Sequence, residues 1–291
     1  MFYTKKIIFL LITTILLSCN NSKNETEKKH LIPERKYEKS QDFKYTIWSL
    51  KNDSIRKVFK STFTSSEITT IVSLNRIDKS NLKLVDSIIV PDTFEDDFLA
   101  YAPFPYTLES IFEIPKLVIF SYPIQAYGVY EFGELVKWGP SSLGSKAHQT
   151  PTGLFFTNWK GEEVQSTFDD EWILRWNFNI ENKEGVGWHQ YELPGYPASH
   201  SCLRLLENDA KWLYDWADEW ILKDASTVSA KGTPVIIFGT YDFESKSPWY
   251  NLTINPNANT ITTADLETII STHKIEILKE QEIRKKVTIE N

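Results

Sequence analysis

Cysteine is scarce in this chain: Cys19 and Cys202 are the two among 291 residues. A disulfide-stapled scaffold and a four-cysteine zinc site are therefore both excluded. There is no excess of positive charge either. Lys and Arg number 32 against 39 Asp and Glu, a formal net charge of −7, which argues against a general polyanion binder, so no nucleic-acid partner is expected. No internal repeat occurs, and no second long apolar run follows the one at the N-terminus. Aromatic residues, by contrast, are plentiful at 14%, with ten Trp. The 41% hydrophobic and 24% charged content is that of a globular protein, long enough for one large or two modest domains.

The N-terminus accounts for one cysteine. Lys5 and Lys6 precede an apolar stretch, Ile7–Leu17, broken only by Thr13 and Thr14. It is shorter than the roughly 20 apolar residues a bilayer span needs. It ends in Leu16-Leu17-Ser18-Cys19, which resembles a bacterial lipobox. That resemblance implies a lipoprotein signal peptide over residues 1–18 and a lipid on Cys19. It further implies attachment to a membrane through that cysteine, in the cell envelope and facing the periplasm. Residues 19–43, rich in Asn, Lys, Glu and Ser, read as a flexible tether.

Residues 44–92 read as a small β-α-α-β module. Tyr45 to Trp48 suits a strand, and Ser54 to Lys60 a polar helix. Thr64-x-x-Glu67 is a capping box that opens a helix with Ile68, Ile71, Val72 and Leu74 on its apolar side. Ser87-Ile88-Ile89-Val90 is a strand ended by Pro91. The order, with Tyr45-Thr46-Ile47, Asn52-Asp53-Ser54-Ile55, Leu74-Asn75-Arg76-Ile77, Asn81-Leu82-Lys83 and Ile88-Ile89-Val90-Pro91, resembles a LysM module. It departs from that family at Val85-Asp86, where a glycine is common. The resemblance implies binding to N-acetylglucosamine polymers such as the glycan of peptidoglycan. A structural cap is the competing reading.

Residues 93–114 form a proline-containing connector, and residues 115–240 turn to strands. Leu117-Val118-Ile119-Phe120-Ser121, Ala126–Glu131 and Leu135–Trp138 suggest a β-meander turning at Gly133. Thr150-Pro151-Thr152-Gly153 is a turn, since Pro presets one backbone angle and Gly frees another. Trp172 to Phe178 reads as a further strand. A helix is expected over about Asn208 to Leu222, with Leu213, Trp216, Ala217, Trp220 and Ile221 on one face. Gly232–Phe238 holds a closing strand, and residues 241–291 add a loop and a charged helix from about Thr263. The fold class expected is α+β: a mainly β domain, meander or sandwich with a flanking helix, preceded by the small β-α-α-β module.

Cys202 is then the one free thiol of an exported chain. Taken by itself it suits a buried apolar role. Its neighbours are Gly187-Trp188-His189-Gln190 and Ser199-His200-Ser201-Cys202-Leu203-Arg204. A free cysteine has a pKa of about 8.5 and little thiolate at neutral pH. An imidazole in reach can take its proton and return it to a leaving amine. Residues two apart on an extended chain share a face, so a strand here puts His200 beside Cys202. His189 arrives from a facing segment across the Pro194-Gly195 turn.

The ordered set over residues 116–240 resembles the L,D-transpeptidase catalytic domain (YkuD-like) family. The pieces are Thr150-Pro151-Thr152-Gly153 before a Phe-rich strand, the upstream histidine, Ser-His-x-Cys-x-Arg at 199–204, Asp209-Ala210 with Leu213-Tyr214, and Gly232-Thr233-Pro234-Val235. The resemblance implies Cys202 as nucleophile, His189 as general acid and base, and His200 shaping the oxyanion region. Main-chain N–H groups at Ser201 and Cys202 would donate to the oxyanion. Arg204 would hold substrate or loop, with a structural ion pair as the competing role. Two departures stand out. Ser201 occupies a position usually held by glycine, and the His189–Cys202 interval is short, implying a trimmed lid.

The implied reaction is on peptidoglycan stem peptides. Cys202 attacks the tetrapeptide before its terminal D-residue, D-alanine leaves, and a stem amine resolves the thioester into a cross-link. Water as acceptor would make the site an L,D-carboxypeptidase. No cofactor and no metal is required. Two other classes compete: a catalytically idle wall-binding lipoprotein, and a metal site built from His189, His200 and Cys202, whose spacing fits no common zinc pattern.

Overall fold

The computed structural model describes residues 43–166 and 172–290, so the signal-peptide and Cys19 assignments lie outside the described residues. The described residues all fall within one compact unit, 37–291.

The β-α-α-β order is as expected. Strand β1 (Tyr45–Ser49) pairs antiparallel with β2 (Ser87–Pro91), and helices α1 (Asp53–Thr62) and α2 (Ser65–Leu74) lie between them in sequence. The capping box is formed: the Thr64 hydroxyl accepts from the Glu67 N–H, and the Glu67 carboxylate accepts from the Thr64 N–H. Asn75 ends α2 and ties it to the strand. Its side chain donates to the carbonyls of Ile71 and Ile89, each at 2.8 Å, and accepts from the Ile89 N–H at 2.9 Å.

Nine of the described strands form one mixed sheet. They are β3 (Leu117–Ser121), β4 (Ala126–Glu131), β5 (Glu134–Ser142), β6 (Gly153–Phe156), β7 (Lys160–Gln165), β8 (Ile173–Glu181), β9 (Val186–Gln190), β10 (Leu203–Leu205) and, after helix α3 (Glu207–Trp216) and a small ribbon of β11 (Ile221–Leu222) and β12 (Val228–Ala230), β13 (Pro234–Phe238). Their order across the sheet is β6-β13-β3-β4-β5-β10-β9-β8-β7. β3, β4 and β5 make the expected meander, whereas β13 runs parallel to β3 and β10 parallel to β9. Both faces of β3 are buried. Leu117 and Ile119 enter one core, Val118 and Phe120 the other, which is why this strand reads as an unbroken apolar run. At the Thr150–Gly153 turn Gly153 has φ +129°, the freedom expected of it.

Two local expectations are corrected. The helix after the cysteine ends at Trp216; Ile221 and Leu222 are in β11, and Trp220 donates its N–H to the Asn158 carbonyl. The apolar spacing that suggested a longer helix comes from side chains packing after the chain has turned. The connector is also more than a link. Phe104, Leu108, Ile111 and Ile114 are buried in the core that holds Leu117 and Ile119. So are Leu266, Ile270 and Ile277 of helices α4 (Thr263–Ser271) and α5 (Lys274–Glu290). Among the described residues no helix is long and apolar enough to cross a membrane.

Candidate active site

Cys202 stands immediately before β10, a three-residue strand in the middle of the sheet. Parallel pairing sets Arg204 beside His189 and Leu203 beside Trp188. Leu203, Leu205 and Trp188 point into the core. By the two-residue alternation, Cys202, Arg204 and His189 share the opposite face. They line one small pocket together with His200, Trp172 and Tyr191. The geometry corrects the expected pairing. Residues 200–202 are bends, so His200 and Cys202 are not neighbours on a strand; the spacing-of-two partner of Cys202 is Arg204. His189 comes from a parallel neighbour, so it is delivered by sheet register and not by a hairpin across Pro194-Gly195.

The bend that presents the cysteine is held by the end of β5. The Ser142 hydroxyl donates to the Tyr196 carbonyl at 2.8 Å and accepts from the Ala198 N–H at 3.1 Å. Ser199 donates its N–H to the Leu143 carbonyl, and its hydroxyl to the Cys202 carbonyl at 2.5 Å. Gly144, next in line, leaves no room for a side chain: a Cβ there would lie 2.1 Å from the His148 carbonyl oxygen. Ser201 has φ +75°, the left-handed region that favours glycine. Its hydroxyl donates to the carbonyls of Gln149 (3.2 Å) and His148 (3.4 Å), so the residue that strains the backbone also fastens the neighbouring loop.

His189 is buried, and its Nδ1 lies 2.9 Å from the Gln190 carbonyl oxygen. A carbonyl only accepts, so Nδ1 carries the proton and Nε2 is left as a base. Burial, reinforced by the Arg204 charge and opposed by the Gln190 bond, pulls its pKa down to about 4. Burial pushes the Cys202 thiol up from its ordinary value, against smaller lowering effects of the Gly187 main chain and Arg204. Both shifts favour a resting pair of neutral thiol and neutral imidazole over a thiolate–imidazolium pair. Arg204 lies over the Tyr191 ring at 4.4 Å, and partial burial bears against its charge. The ring of His200 is 4.5 Å from that of His148 and 5.5 Å from that of Trp172. Desolvation, then the neighbouring His148 and Arg204, lower the His200 pKa.

Among the described residues no group of three or more His, Cys, Asp or Glu side chains is placed to hold a metal ion. Trp172, Tyr191 and His148 were not anticipated. Tyr191 had a signal, being two residues beyond His189; Trp172 and His148 are remote in sequence and had none.

Residues 115–237 match the L,D-transpeptidase catalytic domain family, YkuD. No curated protein matches the chain. Among solved structures, an L,D-transpeptidase from Stackebrandtia nassauensis is 22% identical, with a TM-score of 0.35 over 44% of this chain and 57% of that one. One from Mycobacterium smegmatis is 21% identical, with a TM-score of 0.34 over 43% and 59%. One from Mycobacterium tuberculosis is 15% identical, with a TM-score of 0.34 over 68% and 91%. The chain thus spans less than two thirds of the length of the first two. The matched L,D-transpeptidase segment begins just before β3 and ends within β13, and it contains His189, His200, Ser201, Cys202 and Arg204.

Proposed function

We propose that this protein is a peptidoglycan L,D-transpeptidase that works through a thioester on Cys202. The observation that carries the reading is the shared pocket of Cys202 and a neutral, Nδ1-tied His189 inside the family-matched segment. Nε2 of His189 takes the thiol proton as Sγ attacks the carbonyl carbon that precedes the terminal D-alanine of a tetrapeptide stem. The carbonyl electrons move onto oxygen, where the Ser201 and Cys202 N–H groups donate. Collapse of that oxyanion breaks the C–N bond, and the imidazolium gives its proton to the leaving amine. A stem amine then attacks the thioester, with His189 again taking a proton, and a cross-link forms as the thiol is restored. Arg204 and the aromatic walls Trp172 and Tyr191 orient the stem, and His200 shapes the oxyanion side. Water in place of the amine would release a tripeptide, as an L,D-carboxypeptidase does.

Mass spectrometry of disaccharide-tetrapeptides incubated with the chain tests this. Cross-linked dimers with loss of one D-alanine are expected; tripeptides alone would assign the carboxypeptidase, and unchanged substrate would reject both. The β-α-α-β module fits a glycan-binding role, with soluble N-acetylglucosamine oligomers expected to release the chain from sedimented peptidoglycan. Sedimentation indifferent to them leaves the module a structural cap. The lipobox-like segment fits a lipid-anchored, periplasm-facing enzyme. Cys19→Ala should leave an unprocessed precursor without lipid, and a lipid adduct on that variant would refute the anchor.

A further inference from the structure

A second cavity lies away from Cys202, between the end of α2, residues 100–103 and residues 252–260. It offers about 40 Å³ of water-accessible room, opens in part to solvent, and is walled by Tyr45, Tyr101 and Trp138. Two of its lining residues are costly to keep there. Arg76 is 2% exposed. It follows the Asn75 cap at φ +58°, with its N–H on the Ser73 carbonyl and the Ile77 N–H on the Val72 carbonyl. That is the Schellman arrangement, in which this position ordinarily carries glycine. Its Nε donates to the Ile124 carbonyl at 3.0 Å and Nη1 to that of Leu74 at 2.7 Å, while its charge lies over the Trp138 and Trp249 rings. These contacts are neutral. Among the described residues the one ionisable group acting on it is Tyr45, not a carboxylate. Buried charges are ordinarily paired.

The second is Asn259, 5% exposed, whose Nδ2 and Oδ1 are both buried without a hydrogen-bond partner. Each such atom is desolvated with nothing in return. A strained, uncompensated arginine and an amide wanting one acceptor and one donor line the same cavity. A carboxylate satisfies the arginine and the amide N–H, and a hydroxyl or ammonium group beside it satisfies the amide oxygen.

We propose that this cavity binds a small hydroxy or amino acid, with its carboxylate on Arg76 and Asn259 Nδ2 and its neighbouring donor on Asn259 Oδ1. The site is separate from the chemistry at Cys202 and stands whether or not that chemistry is as proposed.

Thermal unfolding of the chain with lactate, alanine, acetate or chloride at matched ionic strength tests the assignment. Lactate or alanine should raise Tm by about 3 °C near saturation, acetate less, and chloride least. Cys202→Ala should keep the shift, placing it outside the first pocket. Asn259→Leu removes two unpartnered polar atoms at the same heavy-atom count and branching. It should therefore leave the ligand-free Tm equal or higher while abolishing the shift. Arg76→Met should abolish the shift as well. Equal shifts from all four solutes, no shift from any, or a shift that survives Asn259→Leu would overturn the proposal. So would a large loss of ligand-free stability in Asn259→Leu.

Discussion

At the scale of single residues, the site is governed by how dry it is. His189 has a folded pKa of about 4 against an ordinary 6.5. Between those values the unfolded chain binds the proton and the folded chain does not, so stability falls as pH falls through that window. The shift corresponds to at most ~3 kcal/mol. His189→Gln should flatten the pH dependence of stability between pH 6.5 and 4 in urea titrations; an unchanged slope would contradict a buried neutral imidazole. The same neutral pair predicts a broad plateau in kcat/KM. Its acid limb should lie near pH 4, where His189 protonates, and its alkaline limb above the ordinary thiol range. A limb near pH 6.5 would mean an ordinary, solvated histidine. Ser201 offers a second test. Left-handed backbone costs a non-glycine residue roughly 1–2 kcal/mol, whereas its two long, exposed hydrogen bonds contribute less. Ser201→Gly should raise stability by ~0.5–1 kcal/mol, read from the urea midpoint, and a decrease would show that the bonds to residues 148 and 149 outweigh the strain.

At the scale of elements, legibility followed periodicity. The apolar run of β3, the meander, the capping box of α2 and the glycine turn at 153 could all be read because each is a local pattern with one physical cause. The end of α3 could not, since Trp220 and Ile221 keep helical spacing while packing from non-helical backbone. Nor could the delivery of His189, because parallel pairing of β9 with β10 is a long-range choice that leaves no trace in spacing. That His189, His200, Cys202 and Arg204 belong together was legible, and they line one pocket, but the contacts that support them were not. Ser142 and Ser199 hold the bend through hydroxyl bonds to the main chain, and Gly144 through close approach, none of which has a distinctive sequence pattern. Asn75 shows what one such contact is worth. Asn75→Ala would orphan the buried main-chain N–H and carbonyl of Ile89, costing about 3 kcal/mol by chemical denaturation. A loss below 1 kcal/mol would mean that the α2–β2 tie is dispensable.

At the scale of the whole molecule, the N-terminal module and the C-terminal extension are structurally committed to the sheet. Asn81 donates to the Leu193 carbonyl at 2.8 Å, and the Leu193 N–H donates to Asp78 at 2.6 Å, tying the module to the loop that leads toward Cys202. Tyr250 donates to the Ser87 carbonyl at 2.6 Å, and Trp249 packs on Ile89. The chain should therefore unfold in a single calorimetric transition, and a separate early transition would mark an independent module. Removal of residues 241–290 would strip Leu266, Ile270 and Ile277 from the main core. That truncation should be insoluble or lack a cooperative transition, and a soluble, cooperatively folding product would contradict the packing described.

In the proposed reaction Cys202 carries the acyl group and His189 moves its proton. Intact-mass analysis of the chain after brief mixing with a disaccharide-tetrapeptide tests it most directly. The wild type should gain the mass of the substrate less one alanine, His189→Ala should acylate roughly 100-fold more slowly, and Cys202→Ala should gain nothing while keeping its unfolding midpoint. An adduct of the same mass on Cys202→Ala, or cross-linking undiminished in that variant, would contradict the account.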